Sequence, residues 1–134
     1  MSEGLPLRWL EGRYAVCRLD AGEPVSAEGF GGPLICVAQT AEETSILCSF
    51  DEAPQGARVE GPFAAFGVLG PLDFSLTGIL AALAQTLAEA RVSIFAVSTF
   101  DTDYVLVPAD RKLDAIAALE AAGHTFSSAS PAGS

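Results

Sequence analysis

The chain is poor in positive charge. Seven lysines and arginines stand against seventeen aspartates and glutamates, a formal net charge of −10 over 134 residues. A surface of that sign repels polyanions, which argues against nucleic acid and anionic membranes as partners. Its ordinary consequence is solubility. Cysteine is scarce as well. Cys17, Cys36 and Cys48 are too few for a disulfide framework and are not at metal-ligand spacing. Each lies in an apolar, strand-like run, so each is expected to be a small buried hydrophobe. Histidine occurs once, at His124, with no serine or cysteine beside it in sequence. It reads as a last-turn charge or an ordinary surface histidine rather than a catalytic base. Long hydrophobic runs are missing: the longest, residues 78–84, falls far short of the about 20 residues that span a bilayer. The first twelve residues mix charge with leucine and Trp9, unlike a basic-then-apolar export signal. A cytoplasmic protein is the expectation.

What is present is a large apolar fraction. Half of the residues are hydrophobic, ample for one packed domain or for two very small modules sharing a core. The pattern is clearest between Glu60 and Val107. An apolar run over residues 63–69 predicts a buried strand, ended by Gly70 and Pro71. Leu76, Ile79, Leu80, Leu83 and Leu87 then recur at helical spacing, predicting an amphipathic helix over residues 76–90 with Ser75 as its N-cap. Strands follow over residues 92–97 and 104–107, joined by a polar turn. A second helix is expected over residues 109–122, with Leu113, Ile116 and Ala117 on its core stripe and Gly123 as the stop. His124 to Phe126 closes the set as a short strand, and residues 127–134 read as a disordered tail. The order is β-α-β-β-α-β, an α+β, ferredoxin-like arrangement.

The first half repeats this pattern with a loss. Thr40-Ala41-Glu42 before Ile46-Leu47 answers Thr99-Phe100-Asp101 before Val105-Leu106 at an offset of 59, whereas Tyr14-Ala15-Val16 answers Phe63-Ala64-Ala65 at an offset of 49. The first half is therefore shorter between its first two strands, where a helix would go. Residues 21–33 hold Gly22, Pro24, Gly29, Gly31, Gly32 and Pro33 and cannot form a full amphipathic helix. The expected organisation is a degenerate module over residues 1–59 and a complete one over residues 60–126.

Two polar corners carry the chemistry, Gly70 to Ser75 and Ser98 to Asp103. Corners between apolar elements are where small polar ligands are held. The amides of the first helical turn suit a ligand carboxylate. Asp73 suits an α-ammonium group, Gly78 permits close approach, and Ser98 and Thr99 are placed to meet remaining polar atoms. Without a ligand, Asp73 is a cap or turn residue and Ser98 and Thr99 are strand-end residues. Asp101 and Asp103 lack the glycine and later glutamate of a calcium loop and read as turn formers. No nucleophile has a base beside it, and no metal set or glycine-rich phosphate loop occurs. No enzyme, metal or cofactor is expected.

At Gly70-Pro71-Leu72-Asp73-Phe74-Ser75-Leu76-Thr77-Gly78-Ile79-Leu80 and at residues 97–107, the chain resembles the ACT domain family. Together with Thr40 to Ile46, the likeness is closest to the tandem ACT subgroup that includes CASTOR-type arginine sensors and small bacterial ACT proteins. The resemblance spans residues 34–123 and implies regulation by a small ligand, usually an amino acid. It implies a site at Asp73, Phe74, Ser75, Gly78 and Ile79 on the helix-start corner, with Val97, Ser98 and Thr99 on the facing strand end. Members usually carry an attached enzyme or more ACT modules, and no such partner domain is expected here. The alternative function is a protein–protein interaction module, since a ferredoxin-like sheet has free edges that invite pairing. A two-fold homodimer is expected under either reading.

Overall fold

The computed structural model describes residues 4–70 and 77–127. The fold is α+β. Its strands are β1 (Pro6–Trp9), β2 (Tyr14–Asp20), β3 (Cys36–Gln39), β4 (Glu43–Ser49), β5 (Arg58–Val68), β6 (Phe95–Ser98), β7 (Asp103–Pro108) and β8 (Thr125–Phe126). Its helices are α1 (Ile79–Glu89) and α2 (Lys112–Ala121). Contacts divide the chain into two compact units: Glu11–Phe63, and the described residues before Glu11 together with those from Ala64 onward. The first half of β5 belongs to the former and its second half to the latter.

In the unit Glu11–Phe63, β2 lies between β4 and the first half of β5, and β3 flanks β4. Ala15, Cys17, Ile46 and Cys48 form its buried centre. Burial and the neighbouring Cys17 push the Cys48 thiol up to about 12, and burial raises Cys17 as well. Such thiols stay protonated and behave as the small hydrophobes expected from sequence. Residues 21–33 contain only a short 3-10 turn, Ala27–Gly29, so the helix missing from the first half is missing in the structure.

The two hairpins share one register. β3 and β4 pair Gln39 with Thr44 and Cys36 with Leu47. β6 and β7 pair Ser98 with Asp103 and Phe95 with Leu106. Every pair shifts by the same 59 positions. The turns match too. Thr40 N–H donates to the Glu43 carbonyl at 2.9 Å, and Thr99 N–H to the Thr102 carbonyl at 2.8 Å. In each, the threonine hydroxyl also accepts the amide three residues on, at 3.1 Å from Glu43 and 3.2 Å from Thr102. Threonine recurs because its hydroxyl supplies a local partner to the turn backbone.

In the other unit β7 pairs with β6 and with β5, and β5 also pairs with β1. A β-α-β-β-α-β chain would set its closing strand beside its first. Here β1 takes that place. It runs antiparallel to β5, with Leu7 opposite Val68, and parallel to β8, with Pro6 opposite Thr125. Residues 4–10 therefore pack with the second module, unlike the expected boundary at residue 59. The alternation of Leu5, Leu7 and Trp9 explains why: Leu7 is fully buried, and Leu5 and Trp9 pack against the same core. That core joins Phe66, Val68, Val105 and Val107 to Leu83 and Leu87 of α1 and Ala115 and Leu119 of α2. Trp9 stacks on Phe126 at 5.3 Å and meets Phe66 edge-on at 5.1 Å, while the Lys112 ammonium sits 4.8 Å above its ring.

Several local expectations shift. The first helix starts at Ile79, not residue 76, because Gly78 is left-handed at φ 82° and stands at the N-cap. Leu76 and the expected cap Ser75 lie outside the described residues. The next strand starts at Phe95, not residue 92. Val92 instead donates to the Leu87 carbonyl at 2.9 Å and buries its side chain, closing the helix past Arg91 at φ 62°. The Arg111 guanidinium donates to the Arg91 and Ala90 carbonyls there at 3.2 and 3.4 Å, a cation at the negative end of the helix. α2 turns a different face to the core than its apolar stripe implies. Ala115 and Leu119 are buried, whereas Leu113 is 79% exposed. Ser127 is held rather than loose, its amide donating to Leu7 at 2.8 Å. The remainder of the expected tail, residues 128–134, falls outside the described residues.

His124 is buried, not a surface histidine. It is 7% exposed, and its Nδ1 accepts the Leu5 amide at 3.1 Å. That bond needs the neutral ring, and burial lowers its pKa. Its stabilising contribution is complete above the unfolded-state value of about 6.5. It is lost as pH falls from there through the lowered folded value. Urea denaturation followed from about pH 7.5 to 5 is expected to show a drop in stability that the His124→Gln variant lacks. A second expectation tests α2. Leu119→Ala costs about 2–5 kcal/mol in the same assay, whereas Leu113→Ala stays within about 0.5 kcal/mol of the parent.

Candidate functional site

Strand alternation gives the second module two unlike faces. Leu7, Phe66, Val68, Val105 and Val107 point to the helices. Arg8, Gly67 and Tyr104 alternate with them and so project from the helix-free face. A cleft of about 240 Å³ opens there at the end of β5. It is lined by Arg8 and Leu10, by residues 67–70, and by Asp101, Thr102 and Tyr104.

Local chemistry builds its walls. Arg8 stands opposite Gly67 in the β1–β5 ladder. A Cβ on Gly67 would lie 2.8 Å from Cε1 of Tyr104 and 2.9 Å from its Cδ1, so the ring rests directly on the glycine backbone. The Thr102 hydroxyl donates to the Val68 carbonyl at 2.7 Å, pinning the β6–β7 turn to the end of β5. No hydrogen bond or ion pair engages the side chain of Arg8, Asp101 or Tyr104 among the described residues.

The expected site residues are placed as follows. Asp73, Phe74 and Ser75 lie outside the described residues. Gly78 caps α1, and no described residue lies within 4 Å of where a Cβ would stand. Ile79 opens that helix and packs against the core. Val97 and Ser98 end β6, and Thr99 begins the turn. The two hydroxyls are already engaged: Ser98 donates to Asp103 Oδ1 at 2.6 Å, and Thr99 donates to the Thr102 carbonyl at 3.1 Å. Asp103 opens β7 and accepts from the Ser98 hydroxyl, where a turn former bonding nearby amides was expected. Of the expected site residues that are described, none lines the cleft at the end of β5, whereas Asp101 does. Arg8 and Tyr104 were not among the expected site residues. The period-two alternation over residues 5–10 was the signal that could have placed Arg8 on a strand face. Among the described residues, no group of histidine, cysteine and carboxylate side chains is placed to hold a metal ion. No helix there is long and apolar enough to cross a membrane.

Comparison with known families matches residues 58–121 to the ACT domain. Residues 12–56 match a second family model, described as an N-terminal domain. No curated protein matches the chain. Among solved structures, protein Atu0741 from Agobacterium tumefaciens is 35% identical, with 94% of each chain covered and a TM-score of 0.85. This chain and Atu0741 belong to one family, and residues 58–121 match the ACT domain. The regulatory subunit of aspartate kinase from Thermus flavus shares the fold at a TM-score of 0.65 and 12% identity, covering 90% of this chain and 99% of that one. The aspartate kinase of Clostridium acetobutylicum is alike at 0.66 and 12% identity, with 91% of this chain but 36% of the enzyme covered.

The contact of Tyr104 with Gly67 yields a direct check. Gly67→Ala is expected to cost about 1–3 kcal/mol through overpacking. In a Tyr104→Ala background most of that cost disappears, so a double-mutant cycle read by denaturation gives a coupling of the same order.

Proposed function

We propose that this protein is a non-catalytic regulatory module that binds a small ligand, an amino acid, and acts as a cytoplasmic homodimer. The match of residues 58–121 to the ACT domain carries the reading. Its support is the fold shared with the regulatory subunit of the Thermus flavus aspartate kinase and the left-handed Gly78 at the amide end of α1. In this reading the ligand carboxylate meets the amides that begin α1, beside Gly78 and Ile79. Asp73 takes the ammonium group, Phe74 and Ser75 complete the corner, and Val97, Ser98 and Thr99 border the opposite side. Tandem pairing of an ACT module with the degenerate module, expected over residues 1–59, belongs to the same proposal.

Thermal-shift measurements against the common amino acids at millimolar concentration are expected to raise Tm for at least one of them. Asp73→Ala is expected to abolish that shift. The absence of any shift, with the protein folded and dimeric by sedimentation, would overturn the reading.

A further inference from the structure

We propose that the outer face of α1 and α2 is the surface on which two copies of this chain meet, across a two-fold axis at Ala117. This surface belongs to the homodimer of the proposed function and presupposes it. A helix lying on a sheet needs one apolar stripe, and its opposite face is ordinarily polar. α2 has two apolar stripes. Ala115 and Leu119 form the first and are fully buried. Ala117 stands two residues from each, so at about 100° per residue it points directly away from the core. Leu113, Ala117 and Ala121 follow one another at four-residue spacing on that outward side, and all three are exposed. Leu113 takes no part in the core that its neighbours build.

The charge pattern favours a second copy as the occupant. The chain carries −10 overall, so two copies repel wherever their acids face each other. The helix layer is where they do not. Residues 77–88 hold no charged side chain. The exposed residues of α1 before Glu89 are Ala81, Ala82, Gln85 and Ala88. On α2, Asp114 is paired with Arg111 at 2.7 Å. Asp114 and Glu120 lie three residues to either side of Ala117, which turns them about 60° to opposite flanks of the outward ridge. They border the face without occupying it. A cationic partner would be drawn to the acidic surfaces elsewhere on the chain instead.

The ridge is also self-complementary, as a two-fold contact requires. In an antiparallel pair centred on Ala117, Leu113 stands level with the partner's Ala121. Large meets small at both ends, and two alanines meet at the centre, where short side chains let the helices approach closely. A parallel pair would set leucine against leucine. Rows of residues four apart are the ridges that interlock in the commonest class of helix packing. One short ridge buries less than the about 1,200–2,000 Å² of a stable interface, so the uncharged face of α1 joins the contact.

Sedimentation of the full chain across the micromolar range tests this surface. The parent is expected to dimerise reversibly. Leu113→Ala is expected to weaken the dimer by about tenfold or more, since each dimer buries that side chain twice. Ala117→Glu and Ala117→Lys, both at an exposed helical position, are each expected to sediment as monomers with unchanged circular dichroism, because like charges then meet on the axis. Mixed in equal amounts, the two variants are expected to dimerise again, a rescue that requires this position to face its own copy. Urea denaturation of Leu113→Ala is expected to match the parent in dilute solution and to fall below it once the parent dimerises. A dimer of parental strength in Leu113→Ala or in both Ala117 variants, or a mixture that stays monomeric, would overturn this surface and leave the homodimer standing. A parent that stays monomeric would overturn both.

Discussion

The second module depends on a strand that the chain makes first. β1 lies between β5 and β8, and among the described residues β8 pairs with β1 alone. Leu7 drives the insertion. It is fully buried among Phe66, Val68 and the two helices, and burying a leucine contributes about 1.5–3 kcal/mol. Around it, Leu5 bonds to His124, Ser127 bonds to Leu7, and Trp9 stacks on Phe126 and meets Phe66 edge-on. Displacing β1 would orphan these groups together.

Much of this was legible in the sequence, for reasons that differ by element. The strand over residues 63–69 and α1 were readable because apolar residues recur at the periods that strands and helices require. The hairpins were readable because Thr40 and Thr99 bring the same turn chemistry. The loss of the first helix was written in the glycines and prolines of residues 21–33. The helix start was misread because Leu76 continues the apolar spacing, and spacing does not report that Gly78 is left-handed. The stripe of α2 was misread for a related reason. Leu113 fits a helical period, but tertiary packing chose Ala115 and Leu119, and a short helix presents more than one such face. The strand at residues 6–9 was missed because four alternating residues among charges are a weak local signal, and its partners stand far along the chain.

The candidate site was legible only in part. The residues expected from the corner chemistry include three that the structure does not describe, and two whose hydroxyls serve the turn. The cleft on the helix-free face rests on Arg8, Gly67, Asp101 and Tyr104, which are scattered in sequence and come together only through β1 and the register of the ladders. Glycine in a buried strand reads in sequence as a weakness. In the folded module it is the gap that the tyrosine ring covers.

The placement of β1 also sets how this chain is assembled in time. Leu5 and His124 are separated by 119 positions, so a ribosome releases β1 long before the strand that will flank it exists. Loop closure over such a distance is a late event, and topologies that rely on it fold slowly. At synthesis rates of about 5–20 residues per second, β1 waits several seconds with its apolar side chains unpartnered. Its shortness, with Pro6 and Arg8 among its four residues, limits what else it can pair with during that wait.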